Sequence, residues 1–373
     1  MKHRKHVSTL KLAVLAAVLA LLAIVPSAAV AAEADVDIPR TADGRPDLSG
    51  FYNVATLTPM SRPSKYGDEL TITAEEAKAI EEHWAGNLAK DSAPSDGDRE
   101  APPEGGVDFF VPEFNGAAGG VGGYNAFFID LGDSTFQIDG KYRTSILIDP
   151  PDGRFPSLTD AAKAKRQESA AFFHKNTGEA WWLDLEAGPY DDMEMRPLAE
   201  RCLLGFGSTQ GPPMLPVMYN NLKQIVQTPD HVVILVEMNH DARIIPIDNN
   251  HGSKDVRSWL GESVGHWEGD TLVVNTKNFR DQPGFSRGSK DMEVEERFSR
   301  IDADTLLYKF TVNDPSTWTA PFTGEYVWPR SDDKVYEYAC HEGNYSFGNI
   351  MRGARLLEEE ALAKQASGST GRE

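Results

Sequence analysis

The sequence predicts a mainly β fold: a C-terminal antiparallel meander closing into a β-barrel, an N-terminal α/β decoration and a C-terminal helix. Three observations predict it. From Val232 on, eight strand-like segments follow one another, nearly all joined as hairpins by short polar turns. Before residue 223, two helical stretches alternate with short strands and loops rich in Pro and Gly. A long meander also leaves two open edges, and closure into a barrel removes them.

Residues 1–32 read as a secretion signal. Lys2, Arg4, Lys5 and Lys11 give a basic start, Leu12 to Val25 is an unbroken apolar run, and Ala29-Val30-Ala31 fits a cleavage site near Ala31/Ala32. The run is short for a membrane span, and no Cys near the site offers a lipid anchor. The expected location is periplasmic or secreted, with no membrane insertion after cleavage. Removing the signal takes four basic residues and no acids, so the net charge moves from −20 to −24. Such a surface repels phosphate backbones and speaks against nucleic acid as a partner. Two cysteines, Cys202 and Cys340, form either one disulfide or two buried thiols; an oxidising compartment favours the bridge.

The region 33–222 holds the α/β part. Asp47 to Asn53 turns apolar and starts a strand. Thr73 with Glu76 is a capping box, which predicts a helix over Ala74 to Leu88. Gly116 to Gly123 is a glycine-rich loop with no helix after it, so it does not match a phosphate cradle. Ser134–Ile138 and Tyr142–Ile148 flank Asp139-Gly140, the strongest short hairpin signal. Thr159 to Phe173 is a second helix, and 186–216 is mostly loop. The meander occupies 223–347, led in by Ile225-Val226-Gln227. Its strands are Val232–Met238, Arg243–Ile247, Ser263–Trp267, Thr271–Thr276, Glu293–Arg300, Thr305–Val312, Phe322–Trp328 and Lys334–Cys340. The segment 348–373 is a polar helix to about Lys364 and a disordered tail.

Several strands carry charge in their interiors: Glu237, Glu295, Arg297, Glu325 and Glu337. Either these acids face solvent and the rings form the core, or they line a polar barrel cavity with Arg243 and Arg297 as partners. In the cavity reading Glu295, Arg297, Trp318, Glu325, Glu337 and Tyr338 contact ligand. His240 at a hairpin tip, with Glu237 and Arg243, and His341 after the last strand are the acid–base candidates. Arg243 would then hold an anion. Trp318 in the 314–321 loop either caps the core or stacks on a ligand. Metal-ligand spacing, Rossmann and P-loop fingerprints are missing, and no cofactor is implied.

Seven segments together resemble a large family of exported bacterial proteins. They are Arg45-Pro46-Asp47-Leu48-Ser49-Gly50, Gly122-Gly123-Tyr124-Asn125, Tyr142 to Arg154, Glu200-Arg201-Cys202, Thr228-Pro229-Asp230-His231, Trp267 to Val274 and Tyr336 to Asn344. The resemblance spans nearly the whole chain after the signal and implies export and one shared fold, with no reaction attached. Leu48-Ser49-Gly50-Phe51 is also similar to the first strand of lipocalin-like barrels, with Tyr52 where those carry Trp. That similarity implies a meander barrel with a ligand cavity.

The leading expectation is therefore an exported protein that binds a small, partly apolar organic molecule in a barrel cavity. The alternatives are an enzyme doing acid–base chemistry in the same cavity, and a structural or partner-docking envelope protein. The cavity readings require the side chains after residue 223 to converge on an enclosed space.

Overall fold

The computed structural model describes residues 38–92, 98, 129–170, 177–205, 207–281, 285 and 288–369. The expected signal segment and the Gly116–Gly123 loop lie outside the described residues.

The first strand is β1 (Gly50–Asn53), followed by β2 (Thr71–Ile72) and helix α1 (Ala74–Asp91). The capping box forms as expected: Glu76 N donates to Thr73 Oγ1, and Thr73 N donates back to Glu76 Oε2. The hairpin β3 (Gln137–Ile138) and β4 (Lys141–Arg143) turns through Asp139 and Gly140, both at positive φ, as a two-residue turn requires. Strand β5 (Leu147–Asp149) and helix α2 (Asp160–Ala170) complete this part.

The later strands are β6 (Leu222–Gln227), β7 (His231–Val236), β8 (Ala242–Pro246), β9 (Glu262–Glu268), β10 (Thr271–Lys277), β11 (Glu293–Arg300), β12 (Thr305–Asn313) and β13 (Phe322–Pro329). They divide into two sheets. One has the order β1-β6-β7-β8 and the other the order β5-β13-β12-β11-β10-β9, every pair antiparallel. The N-terminal region thus supplies a strand to each sheet. A third, small sheet is β2-β4-β3. The chain ends in helices α3 (Cys340–Gly343) and α4 (Tyr345–Ser369).

Two expectations about the meander need correction. The expected strand over Lys334–Cys340 does not form; residues 331–339 carry no regular structure. Its place beside β13 is taken, because β5 pairs with that edge. The ladder also does not close into a barrel. The two sheets are linked by single bridges, Tyr52 of β1 to Arg330 just beyond β13 and Ile247 just beyond β8 to Gly265 of β9. Among the described residues no ladder joins β8 to β9.

Period-2 alternation decides what lies between the sheets. Val294, Glu296, Phe298 and Arg300 of β11 point inward, as do Leu306, Tyr308, Phe310 and Val312 of β12 and Phe322, Tyr326 and Trp328 of β13. Tyr308 packs on Trp328 with ring centroids 4.9 Å apart and on Phe298 at 5.0 Å. From the facing sheet come Tyr52, Ile225, Val232, Ile234, Val236 and Ile245, each 2 % exposed or less. Burying each large apolar side chain contributes roughly 1.5–3 kcal/mol, so this dry interior is the main source of stability.

The chain fills the remaining interior with its own loop. Residues 207–215 run between the sheets, with Ser208, Thr209, Gln210 and Met214 buried. The Met214 backbone is clamped by two phenols: its N–H donates to Tyr308 Oη at 2.9 Å, and Tyr326 Oη donates to its carbonyl at 2.6 Å. At the opposite end, Arg300 donates to the carbonyls of Asp47 and Ala303 and to Tyr52 Oη. Rings and this plug pack against one another between the sheets.

Candidate functional site

A cleft of about 620 Å³ lies between β8 and the start of β9, at the seam between the sheets. Its apolar walls are Leu203, Leu204, Trp259 and Leu260, and its polar groups include Asp241, Arg243, Glu262 and Ser263. The plug backs onto this wall. A methyl group placed on Gly211 would lie 2.7 Å from Leu260 Cδ2, so Leu260 would have to shift to admit it.

Arg243 connects the cleft to the interior. Its Nη1 and Nη2 donate to the two carboxylate oxygens of Glu296 at 3.0 and 2.7 Å, and Nη2 also reaches Ser263 Oγ at 2.9 Å. Tyr308 Oη donates to Glu296 Oε1 at 2.7 Å. Glu296 is fully buried, and the Arg243 side chain is 4 % exposed. Burial alone would lower the Arg243 pKa, but the Glu296 carboxylate outweighs it and holds the guanidinium above its ordinary value. Burial, reinforced by Glu296, raises the Tyr308 phenol well above the usual range, which keeps it a donor. One atom of this network has no protein partner: the Nε–H of Arg243 is buried and finds no acceptor. Such a donor is costly unless something accepts from it.

Asp241 stands on the rim. Gln210 Nε2 donates to its Oδ2, and the Gly205 N–H donates to Gln210 Oε1. Burial raises the Asp241 pKa, against the Gln210 hydrogen bond and the nearby His240. Glu262 takes the Gly252 N–H at 2.8 Å, and that bond lowers its pKa. Behind the plug lies Lys223, fully buried on the inner face of β6, with its Nζ donating to Thr209 Oγ1. Burial pushes its pKa down to about 7, opposed by Glu237.

The residues singled out from the sequence fall on several surfaces. Arg243 alone among them lines the cleft. Glu237 is 6 % exposed and accepts the Tyr336 N–H at 3.2 Å. His240, Glu337 and His341 are exposed. Glu295 and Arg297 sit on the outer face of β11, paired with each other at 3.2 Å. Arg297 also bonds Glu268 at 2.5 Å. Glu325 pairs with Arg143 on the outer face of β13 at 3.0 Å. Trp318 caps the core in a cluster with Phe155, Phe285 and Phe322, 5.0 Å from Phe322. Tyr338 packs against the core and is partly buried. Cys202 and Cys340 are bridged, tying the loop before the plug to the start of α3.

Sequence reasoning missed Glu296 and Ser263. The alternation Val294-Glu296-Phe298 marked Glu296 as inward, one residue out of phase with Glu295 and Arg297. Ser263 lies in Gly261-Glu262-Ser263-Val264-Gly265, a GxSxG pattern. A nucleophile elbow needs a strand-to-helix turn, whereas Ser263 begins the strand interior of β9 and its hydroxyl meets Arg243 and Thr276. Among the described residues, no group of His, Cys, Asp and Glu side chains converges as a metal site would require.

Comparison with known proteins returns no family model that matches the chain, no matching curated protein and no matching solved structure.

Proposed function

We propose that this is an exported binding protein for a small, partly apolar organic molecule, and that the molecule sits in the seam cleft rather than between the sheets. The observation that carries this reading is a cleft that sets Arg243, Asp241 and Ser263 beside apolar walls of Leu204, Trp259 and Leu260. A ligand's apolar body would cover those walls while a polar group of the same molecule meets the polar side of the cleft. A volume of about 620 Å³ lies within the span of small-ligand sites, on the order of 300–1,000 Å³. The disulfide supports export, since such bridges persist in oxidising compartments.

The test is a fluorescence titration with N-phenyl-1-naphthylamine, a neutral apolar probe, on the protein and on Trp259→Ala. Saturable binding that weakens about tenfold or more in the variant is the expected result, because an aromatic wall dominates such contacts. Equal affinity in the two proteins, or no saturable binding, contradicts the reading.

A second reading rests on Asp241. A carboxyl with a raised pKa on the rim of a cleft, next to His240, has the makings of an acid–base group. Under that reading the bound molecule is a substrate, and Asp241→Asn abolishes its turnover without abolishing its binding.

A further inference from the structure

Next to the seam cleft is a second groove of about 550 Å³, and Trp259 lines both. The groove is walled by Arg201, Arg257, Arg280 and Lys290, with Glu194, Asp255 and Asp281. Among the described residues, four cations against three acids is a local reversal of sign in a chain with 57 acidic and 37 basic residues. Glu194 and Asp255 do not neutralise the cations closely. Glu194 reaches Arg201 only at 4.0 Å and is 80 % exposed, where screening leaves little of the attraction. Asp255 accepts from the hydroxyl of Ser253. Arg257 is fixed as scaffold, donating to the carbonyls of Phe279 and Lys290 at 2.9 and 2.8 Å, so its charge stays in place. Arg280 lies over the Trp259 ring at 5.0 Å from its centroid. That stacking presents a guanidinium at the boundary between an apolar cleft and a basic groove.

We infer that the ligand is an amphipathic organic anion: its apolar part enters the seam cleft along Trp259, and its sulfonate, phosphate or carboxylate group sits against Arg280 and Lys290 in the neighbouring groove. This rests on the cleft being the binding site, and it adds the chemical class of the ligand. The geometry asks for both halves on one molecule, because Trp259 lines both depressions. A planar guanidinium suits a planar or trigonal oxyanion, and a lysine adds a point charge without demanding geometry.

The experiment pairs two probes that share one ring system. 1-Anilinonaphthalene-8-sulfonate carries the anion, and N-phenyl-1-naphthylamine lacks it. The sulfonate is expected to bind about fivefold or more tightly than the neutral probe at low salt, the effect of a partly screened charge pair. That advantage should shrink as salt is raised to about 0.5 M. In the double variant Arg280→Gln/Lys290→Gln, the ratio of the two affinities falls to about one. The Tm of the variant is measured alongside, and the single variant Lys290→Gln, at an exposed position, gives the same direction should the double variant fold poorly. Equal affinities in the unmodified protein, or a ratio unchanged in the variants, overturn the inference while leaving the cleft reading intact. Failure of both probes to bind overturns the two together.

Discussion

Glu295 and Glu296 are neighbours in sequence and opposites in environment, which makes Glu296→Gln the most informative single substitution for the interior. Glu296 is wholly buried and accepts three hydrogen bonds, two from Arg243 and one from Tyr308. Replacing its carboxylate with an amide leaves the buried Arg243 charge without a counter-charge and puts an amide N–H₂ where an acceptor is needed. Breaking a buried pair by removing one partner costs about 3–5 kcal/mol. Glu295 is 45 % exposed beside a 34 % exposed Arg297, so Glu295→Gln should cost no more than about 1 kcal/mol. With an unfolding entropy of about 2.1 cal/mol/K per residue over a chain this long, 4 kcal/mol corresponds to a Tm drop of about 6 °C. Urea titration followed by tryptophan fluorescence gives the free energies directly. The double substitution Arg243→Met/Glu296→Leu should recover most of the loss, because an apolar pair needs no counter-charge. Glu296→Gln and Glu295→Gln agreeing within about 0.5 kcal/mol would refute the inward assignment of Glu296 and, with it, the anchoring of Arg243 at the cleft.

Two further outcomes follow from buried groups. Lys223 has a folded pKa of about 7 against 10.5 for the free side chain. Between those values the unfolded chain holds a proton that the folded chain lacks, so stability rises with pH by up to about 1.4 kcal/mol per unit. Lys223→Met should remove that rise and be the more stable protein at pH 7; a pH profile parallel to the unmodified one would contradict the assignment. The Cys202–Cys340 bridge spans 138 residues of sequence, and the chain-entropy account makes its removal worth about 5 kcal/mol. Cys202→Ser/Cys340→Ser should unfold at lower urea and be indifferent to reductant, whereas the unmodified protein should shift when reduced. An unmodified protein whose midpoint ignores reductant would show that the bridge contributes nothing.

Much of the strand pattern was legible in the sequence because hairpin turns announce themselves. Asp139-Gly140, Glu268-Gly269 and Asp302 to Asp304 each stand where the structure turns. The capping box at Thr73 was equally local. What could not be read locally was competition. Lys334 to Cys340 has the alternation of a strand, yet β5, from nearly two hundred residues earlier, holds the edge it would need. The plug was hidden for a related reason. Residues 207–215 look like a surface loop, rich in Gly and Pro, and only the phenols of Tyr308 and Tyr326 around Met214 show why they are buried. The site was legible in one residue. The sequence offers Arg243 as a partner for inward-facing acids, but it offers those acids as Glu237, Glu295, Glu325 and Glu337, and the acid that Arg243 meets is Glu296. A phase error of one residue separates Glu295, facing solvent, from Glu296, facing Arg243. The cleft itself lies between β8 and residues 258–264, a tertiary juxtaposition with no signature in the strands that border it.

Hydrogen–deuterium exchange in the presence and absence of N-phenyl-1-naphthylamine tests the location of the site most directly. Bound probe should slow exchange in the backbone of 241–244 and 259–264, the two borders of the cleft, and leave the β11–β12 amides as they were. Protection confined to the inner strands, or spread evenly over the chain, would contradict a site at the seam.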